Sequence, residues 1–333
     1  MKNLLLRKIN KKNKNILYSD IQRQLTNGWF SKKEMWMDTY VLIMILSGLP
    51  SECWFFNGNF SLTDYGNYQI NKNIQFKILP NYKNLTNLNK KFDTVFVRGD
   101  YKEWNFILKK ISYKKLYFYS ATSSHIVPNN LNYKPDVIFS DNLNINSREN
   151  KIIEKPVYEK VFKPCTTKDI DICFIASWAP HKRYTLLKKI IEEYKAPLNI
   201  TVVASTFRGN RKTVEAWGKS SNKKLELYEN IPKHRIGKIL NRSKILFVSS
   251  KQDCNPRTIN EALACNTPIL VMEDLMMGKR HINNKTGIIS SSDDLLKNIN
   301  YLLNNYDKIN PIKYYKETLS YNILGNYYKE LFK

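Results

Sequence analysis

The sequence has few acidic residues, few glycines and few cysteines for its length. Its 29 Asp and Glu stand against 54 Lys and Arg, which leaves a net charge of +25 at pH 7. With 11 Gly and 12 Pro in 333 residues, the chain is not of the collagenous or low-complexity type. The cysteines are odd in number and form no C-x-x-C pair, which argues against a disulfide framework or a zinc site and favours a reducing cytoplasm. They are Cys53, Cys165, Cys173, Cys254 and Cys265.

Long apolar runs are also lacking. The N-terminal segment contains only three consecutive leucines, and the best apolar run, VLIMIL at 41–46, has six residues. Both are too short for a signal-peptide core or a membrane span. We therefore expect a soluble cytoplasmic protein (in the host cytoplasm if the chain is viral), and peripheral contact with a membrane surface stays open.

The excess of positive charge extends over the whole chain. Residues 1–160 hold 25 basic and 13 acidic residues (+12), and residues 161–333 hold 29 and 16 (+13). Such a field favours a polyanionic partner, namely nucleic acid, anionic lipid or acidic glycan. AT-rich coding is the alternative explanation, because 43 of the 54 basic residues are Lys. It does not account for the shortage of acids.

The length suits two domains, and the hydrophobic pattern alternates between short strands and helices throughout. In the first half, helices are predicted over 32–47 and 101–111. Strands are predicted over 15–19, 52–56, 74–79, 94–97, 115–120 and 136–140.

The second half alternates more regularly. Strands are predicted over 171–176, 198–204, 225–228, 244–249 and 268–272, and helices over 184–194, 233–240, from about 255, and 293–305. Strands rich in Ile, Leu and Val that alternate with helices indicate a parallel sheet covered on both faces. The predicted fold class is α/β, with two Rossmann-like domains facing a cleft. The predicted bounds are 1–155 for the first domain, 165–310 for the second, and 311–333 for a C-terminal helix that packs back on the first domain.

Ligands of open α/β sheets bind outside the carboxyl ends of the strands, so the loops after the strands are the place to look for a site. Asn255-Pro256 is a favourable helix start, with Asn as N-cap and Pro at the first helical position. The free N–H groups of such a helix start attract anions. Lys182, Arg183 and Arg208 follow strands of the same predicted sheet. If these groups converge, they form a site for a diphosphate.

Two carboxylates, Asp253 and Glu261, flank this helix start. They repel phosphate but suit hydroxyl groups, such as those of a ribose or a hexose. Thr258-x-x-Glu261 is also a capping-box pattern, and Asp253 has a favourable charge for a helix N-terminus. On spacing alone, a capped helix and a binding site both remain open.

Four segments then indicate a family. D-CNPRTIN-E-ALACNTPILV, from 253, resembles the acid-x7-Glu signature of retaining nucleotide-sugar glycosyltransferases of the GT-B fold (group 1, family 4-like). IASWAPHKR resembles the family's first-strand loop, and ENIPKHRIGKILNRSKILFVSS resembles the segment that holds the nucleobase. KTGII at 285–289 resembles a later turn of the family. The similarity covers about 150–300 and is faint before that.

The resemblance implies a role for several residues. Glu261 would hold the donor ribose hydroxyls, Asp253 would lie beside the donor sugar, and Lys182 would bind the diphosphate. The family's usual arginine is absent, because Ala176-Ser177 stands in its place. Either Arg183 or Arg208 is expected to replace that arginine.

Three further candidates complete the predicted site. Asn255 and Thr258, at the helix start, are expected to help bind the donor. The family often has a histidine near the reacting sugar in its N-terminal domain. His125 is the candidate for this role, and an ordinary loop histidine is the alternative. Cys254, Pro256 and Asn266 stand where relatives carry glycines, so an unusual donor-sugar selectivity is expected. The resemblance also implies that the domain over 1–155 lies on the acceptor side and that the domain over 165–310 binds the nucleotide sugar.

The resemblance implies a metal-independent, retaining transfer of a hexosyl or pentosyl group from a nucleotide-diphosphate sugar, with UDP as the expected nucleotide and no cofactor. For the acceptor, the charge points first to a hydroxymethylated base in phage-type DNA. A lipid-linked or envelope glycan at an anionic membrane is the alternative, supported by the basic-aromatic segment 101–115. A nucleic-acid-binding protein on an inactive GT-B fold is the non-enzymatic alternative. The sequence does not indicate an oligomeric state.

Overall fold

The computed structural model describes residues 2–9, 39–57, 66–71, 73–79, 90–120, 128–140, 150–165, 167–253, 256–276 and 278–332. The chain forms two compact units. One comprises Met1–Pro156 together with Tyr321–Lys333, and the other comprises Val157–Ser320. Each unit is built around its own parallel β-sheet, so the predicted pair of Rossmann-like α/β domains is confirmed.

The first unit contains an eight-stranded sheet in the order β3-β4-β2-β1-β5-β6-β7-β8. All neighbours pair in parallel except β3, which runs antiparallel to β4 at the edge. Its first elements are β1 (Asn3–Ile9), α1 (Thr39–Ser47), β2 (Ser51–Asn57), β3 (Gly66–Asn71), β4 (Ile74–Leu79), β5 (Lys91–Arg98), α2 (Glu103–Leu108), β6 (Ser112–Ser120), β7 (Val137–Ser140) and β8 (Asn150–Lys151).

The three N-terminal leucines lie in the middle of this sheet. β1 pairs with β2 on one side and with β5 on the other, and Leu4, Leu5 and Leu6 are completely buried. The sequence prediction missed this strand because a short apolar run has no alternation when both of its faces are covered. The strand predicted over 15–19 lies outside the described residues, as does the first part of the helix predicted over 32–47.

The second unit has a six-stranded sheet, wholly parallel, in the order β11-β10-β9-β12-β13-β14. Its strands are β9 (Ile170–Ile175), β10 (Leu198–Ala204), β11 (Lys223–Glu229), β12 (Ser243–Val248), β13 (Ile269–Met272) and β14 (Gly287–Ser290). Its helices are α3 (Tyr184–Glu193), α4 (Arg211–Lys219), α5 (Lys233–Arg242), α6 (Arg257–Ala264), α7 (Leu295–Asn305) and α8 (Pro311–Thr318).

The core of the second unit follows from the two periodicities in its sequence. Strands β10 and β12 are buried along nearly their whole length, as expected for strands covered on both faces. Helix α3 buries Tyr184, Leu187, Ile190 and Ile191, which recur three or four residues apart on one face. This packing fixes where each strand ends and each helix begins, and therefore where the connecting loops emerge.

The strand order reverses at the centre of this sheet. From β9 the chain moves outward through β10 and β11, and it then returns to place β12 on the other side of β9. Parallel strands end at the same edge, so the loops after β9 and β12 emerge side by side. This reversal is the usual ligand-binding position in doubly wound sheets.

The C-terminal region differs from the single helix predicted over 311–333. The chain forms α8 and then a separate helix, α9 (Tyr321–Leu331), with a break at Leu319 and Ser320. Helix α8 belongs to the second unit, whereas α9 belongs to the first and packs there against α1. Helix α4 was not predicted at all. In the described part of the chain, no helix combines the length and apolar character needed to cross a bilayer.

Gly287, in the KTGII segment, is required by close packing at the start of β14. A Cβ atom at this position would lie 1.9 Å from the carbonyl oxygen of Ile269 on the neighbouring strand. We expect Gly287→Ala to lower the free energy of unfolding by about 3 kcal/mol or more, because the clash is with backbone and cannot relax by a rotamer change. Chemical denaturation monitored by circular dichroism measures this loss.

Gly209→Ala is the matched control for that substitution. Gly209 has a φ of +82°, and a Cβ there would meet nothing within 4 Å. Only the left-handed backbone conformation is then penalised, by about 1–2 kcal/mol. Equal losses for the two variants would contradict the packing argument.

Candidate functional site

The loops after β9 and β12 bring together a lysine and an aspartate that are 71 residues apart in sequence. The Nζ of Lys182 donates a hydrogen bond to Oδ2 of Asp253. The two side chains are only 17% and 24% exposed. This ion pair lies at the carboxyl edge of the sheet, where the strand order reverses.

Hydrogen bonds to backbone carbonyl oxygens join these two loops. The hydroxyl of Ser249 donates to the carbonyl oxygen of Lys182. The N–H of Lys251 donates to the carbonyl oxygen of His181, with an N···O distance of 2.9 Å, and the N–H of Met276 donates in turn to the carbonyl oxygen of Lys251 at 2.9 Å. Three loops, after β9, β12 and β13, are therefore joined around the Lys182–Asp253 pair.

Arg183 also joins these loops through its side chain. Its backbone is left-handed, with φ 45° and ψ 60°, a conformation uncommon for a residue other than glycine, asparagine or aspartate. Both terminal nitrogens of its guanidinium donate to the carboxylate of Asp274 at 2.7 Å, and Nε donates to the carbonyl oxygen of Ser249 at 2.5 Å. Its donors are therefore directed at groups of the protein itself.

Arg208 is arranged differently from Arg183. It is exposed in the loop after β10, with a φ of 48°. It lies near enough to His181 to influence it electrostatically. Burial and then the charge of Lys182 lower the pKa of His181, Asp253 opposes them, and Arg208 lowers it further. The basic groups gathered here are thus Lys182 and Arg208, beside a histidine whose neutral form is favoured.

Helix α6 begins one residue later than the sequence indicated. Pro256 is the N-cap, with φ −61° and ψ 109°, and the first helical residue is Arg257. The side chain of Pro256 has no group that could accept a capping hydrogen bond. In the first turn, the N–H of Ile259 donates to the carbonyl oxygen of Pro256 at 3.0 Å. A helix N-terminus carries a partial positive charge, and this one follows Asp253 closely in the chain.

Glu261 does not form the capping box that its spacing from Thr258 left open. Its residue surface is only 3% exposed, and its Oε1 accepts a hydrogen bond from Nζ of Lys233, the first residue of α5. Its other oxygen, Oε2, is buried and has no hydrogen-bond partner in the structure. A buried carboxylate oxygen without a partner is costly in a folded protein, so this atom is a candidate for ligand contact.

Helix α6 ends in a way that explains one departure from the family pattern. Asn266 has a φ of 53°, and the N–H of Thr267 closes the helix by donating to the carbonyl oxygen of Ala262 at 2.9 Å. Asparagine tolerates this left-handed conformation better than most residues. The side-chain oxygen of Asn266 also accepts from the N–H of Ile312, at 3.1 Å, which fastens the start of α8.

The remaining predicted residues fall into two groups. Thr258 lies partly buried in the first turn of α6. Asn255 and His125 lie outside the described residues, so their predicted roles stay predictions. Among the described residues, no three His, Cys, Asp or Glu side chains are grouped to hold a metal ion.

Sequence reasoning missed Asp274 and Lys233. Asp274 was detectable in principle, because it lies just after the strand predicted over 268–272, in a loop of the type expected to carry the site. Lys233 had no signal, because one lysine among 43 carries no information until its partner is known.

Comparisons with known proteins identify the class. Residues 159–318 match the family model described as glycosyl transferases group 1. No curated protein sequence matches the chain. The second unit is thus similar to group 1 glycosyltransferases along nearly its whole length, which agrees with the resemblance found in the sequence.

Solved structures agree on the fold. Sucrose-phosphate synthase from Thermosynechococcus elongatus is similar with a TM-score of 0.66 and 9% identity, over 100% of this chain and 98% of that one. HepE from Anabaena, solved in complex with UDP, is similar with a TM-score of 0.65 and 11% identity, over 99% of both chains. TarM is similar with a TM-score of 0.53 and 14% identity, over 72% of this chain and 54% of TarM, so the match spans about half of TarM's length. At these identities the likeness shows the GT-B fold.

The Arg183–Asp274 pair generates a testable expectation about the joined loops. Arg183→Met removes both the bidentate ion pair and the bond to Ser249, so we expect a loss of about 2 kcal/mol in the free energy of unfolding. Asp274→Asn weakens only the ion pair and should lose about 1 kcal/mol. Denaturant titration of both variants measures these values.

Lys188→Met serves as the control, because Lys188 also forms an ion pair, with Glu192 one turn further along an exposed helix face. Its loss should be about 0.3–0.5 kcal/mol. If Arg183→Met lowered the free energy of unfolding by no more than this control does, the contacts that join the three loops would not depend on Arg183.

Proposed function

We propose that this protein is a retaining glycosyltransferase that transfers a sugar from a nucleoside-diphosphate donor, UDP in the first instance, to a polyanionic acceptor. The donor side is supported by three features of the loops and helix after β9 and β12: the Lys182–Asp253 pair, the start of α6, and the buried Oε2 of Glu261, which has no hydrogen-bond partner. The group 1 match of residues 159–318 supports the same assignment. HepE, which shares the fold, has been solved with UDP and with UDP-glucose.

Each group has a role that suits its chemistry. Lys182 and the N–H groups at the start of α6 would neutralise the diphosphate, which needs cationic and N–H donors at fixed positions. Glu261 would accept hydrogen bonds from donor hydroxyls. Asp253 would lie beside the sugar and give up its bond to Lys182 when the diphosphate binds.

Of the two candidate arginines, Arg208 and not Arg183 would bind the diphosphate. The guanidinium of Arg183 is already directed at Asp274 and Ser249, and moving it would leave both without that partner. Arg208 is exposed and lies near His181 and Lys182. It can therefore turn to an anion without breaking a bond that the structure records.

The proposed reaction is a front-face substitution. The bond between the anomeric carbon and the donor phosphate oxygen breaks, and a bond from that carbon to the acceptor oxygen forms on the same face. The acceptor hydroxyl gives its proton to the departing phosphate oxygen. Negative charge develops on the diphosphate, so Lys182, Arg208 and the start of α6 would favour the transition state over the bound donor without requiring a metal.

The choice of acceptor is based on the net charge of the protein. A net charge of +25, with 11 basic and 3 acidic residues in the stretch 201–250 (+8), suits a phosphate backbone, and hydroxymethylated DNA is the acceptor proposed first. A glycan acceptor is the second candidate. It is favoured by the likeness to TarM, one form of which was solved with α-GlcNAc-glycerol and UDP.

The donor side predicts a loss of nucleotide affinity in two variants. Glu261→Gln and Lys182→Met should each weaken UDP binding about 10- to 100-fold, which corresponds to one charge-assisted hydrogen bond of about 1.5–3 kcal/mol. Isothermal titration calorimetry measures the Kd values. Glu192→Gln, an exposed acid on α3, should bind UDP like the unchanged protein. Wild-type affinity in both site variants would refute the assignment.

The acceptor side predicts a covalent product. A panel of UDP-, GDP- and other nucleotide sugars is incubated with hydroxymethylcytosine DNA, and the nucleosides are examined by mass spectrometry. We expect one donor to add a hexose or pentose mass to hydroxymethylcytosine. In parallel, a gel shift that weakens steeply with salt is expected for DNA binding. Unmodified nucleosides would contradict the DNA acceptor. If the protein also co-sediments with anionic liposomes and gives no gel shift, the glycan becomes the proposed acceptor.

A further inference from the structure

Helix α5 has an exposed face whose charged groups are all positive. Its sequence, KHRIGKILNR, contains four Lys and Arg residues and no acid. Arg235, Lys238 and Arg242 are exposed, and their spacing of three and four residues places them on one side of the helix. The buried residues of this helix are Gly237, Ile239 and Leu240. They lie on the opposite side, so the exposed face is not interrupted by the core.

The cations of this face have fewer acidic partners than those of the preceding helices. On α3 and on α4, a basic residue pairs with a glutamate one turn further along the same helix. On α5, Arg242 pairs with Asp169 at the end of the helix. Within the part of the chain that the structure describes, the side chains of Arg235 and Lys238 have neither an ion pair nor a hydrogen bond. These two positive charges are therefore available to an external anion.

A second basic segment of the chain lies against the same helix. A Cβ atom on Gly237 would lie 2.6 Å from the carbonyl oxygen of Val161, so the chain around Val161 packs closely on α5. Lys160 and Lys163, on either side of this contact, are exposed. Together with the two unpaired cations of α5, they place four positive charges in one region of the second unit.

The character of this region favours a phosphate backbone over a lipid surface. A helix that binds in a membrane interface buries an apolar face among the lipids. In the described chain, none of the exposed large hydrophobic side chains belongs to α5 or to the segment around Val161. Successive turns of a helix present side chains about 5–6 Å apart, and each strand of B-DNA carries a phosphate about every 3.4 Å along its axis. Both unpaired cations can therefore contact one DNA strand.

We propose that the exposed face of α5 binds the phosphate backbone of duplex DNA, with Arg235 and Lys238 as the contacting cations. This inference rests on the DNA acceptor of the proposed function and names the surface that would hold it. Helix α5 begins at Lys233, whose ammonium group donates to Glu261 of the candidate site. Lys238 is only about 8 Å further along the helix axis. A DNA backbone that lies along α5 therefore passes close to the candidate site at one end of the helix.

The test measures the affinity for a short labelled DNA duplex by fluorescence anisotropy at several salt concentrations. The logarithm of the binding constant falls linearly with the logarithm of the salt concentration, with a slope of about −0.9 for each phosphate contact. The double variant Arg235→Gln, Lys238→Gln removes two contacts, so its slope should be shallower by about 2 and its affinity about 10-fold lower. Ordinary and hydroxymethylcytosine duplexes should give the same slopes, because phosphate contacts carry no sequence information.

Two further double variants serve as controls. Lys195→Gln with Lys219→Gln lowers the net charge by the same amount at exposed positions near the ends of α3 and α4, and it should keep the slope of the unchanged protein. Arg235→Lys with Lys238→Arg retains both charges of α5 and should also keep the slope, whereas a role in packing would be disturbed by it. Thermal unfolding shows that each variant is folded, and isothermal titration calorimetry should give the same UDP affinity for all of them.

The outcomes separate this inference from the function on which it rests. If the unchanged protein binds DNA and the Arg235→Gln, Lys238→Gln variant has the slope of the Lys195–Lys219 control, the assignment to α5 is overturned and the DNA acceptor stands. The assignment is also overturned if this variant loses only co-sedimentation with phosphatidylserine vesicles and binds DNA as before. If the unchanged protein binds no DNA, the DNA acceptor fails and this inference fails with it, whereas UDP binding still tests the donor side.

Discussion

The parallel pairing of β9 with β12 is the constraint on which the candidate site depends. These strands are 68 or more residues apart in the chain but are neighbours at the centre of the second sheet, where the strand order reverses. Parallel neighbours must end at the same edge, so the loop that carries Lys182 and the loop that carries Asp253 have to meet. The loop after β10 is attached to this junction by the N–H of Trp178, which donates to the carbonyl oxygen of Thr206, and the loop after β13 by the N–H of Met276, which donates to that of Lys251.

The number of basic residues at this edge does not give the positive charge available there, because some of them are paired within the protein. Several basic residues follow the strands, yet they have different surroundings. Arg183 is engaged by Asp274, and Arg211 lies along α4 with Glu215 and the carbonyl oxygen of Leu227. Lys182 is paired with Asp253, and Arg208 is exposed. A count of basic residues therefore overstates the charge that a bound anion would meet.

The acid-x7-Glu segment shows how a local pattern can mislead. Thr258-x-x-Glu261 has the spacing of a capping box, but the N-cap is Pro256 and the Glu261 side chain points to α5. A glutamate that caps a helix would have its carboxylate satisfied by backbone N–H groups. The second oxygen of Glu261 is buried without a hydrogen-bond partner, and it is this oxygen that the proposed function assigns to the donor.

The sequence by itself determined the two parallel α/β units, most strand positions and the family resemblance, and it singled out Lys182, Asp253 and Glu261 as candidates. It could do so because periodicity and signature spacing are local properties of the chain. Only the tertiary structure decided that β1 is a central strand and that Lys233 is the partner of Glu261. It also decided that the guanidinium of Arg183 is bound to Asp274 whereas Arg208 is exposed. Those facts depend on which strands become neighbours and which side chains meet across them, and such contacts between distant segments leave no trace in a single sequence.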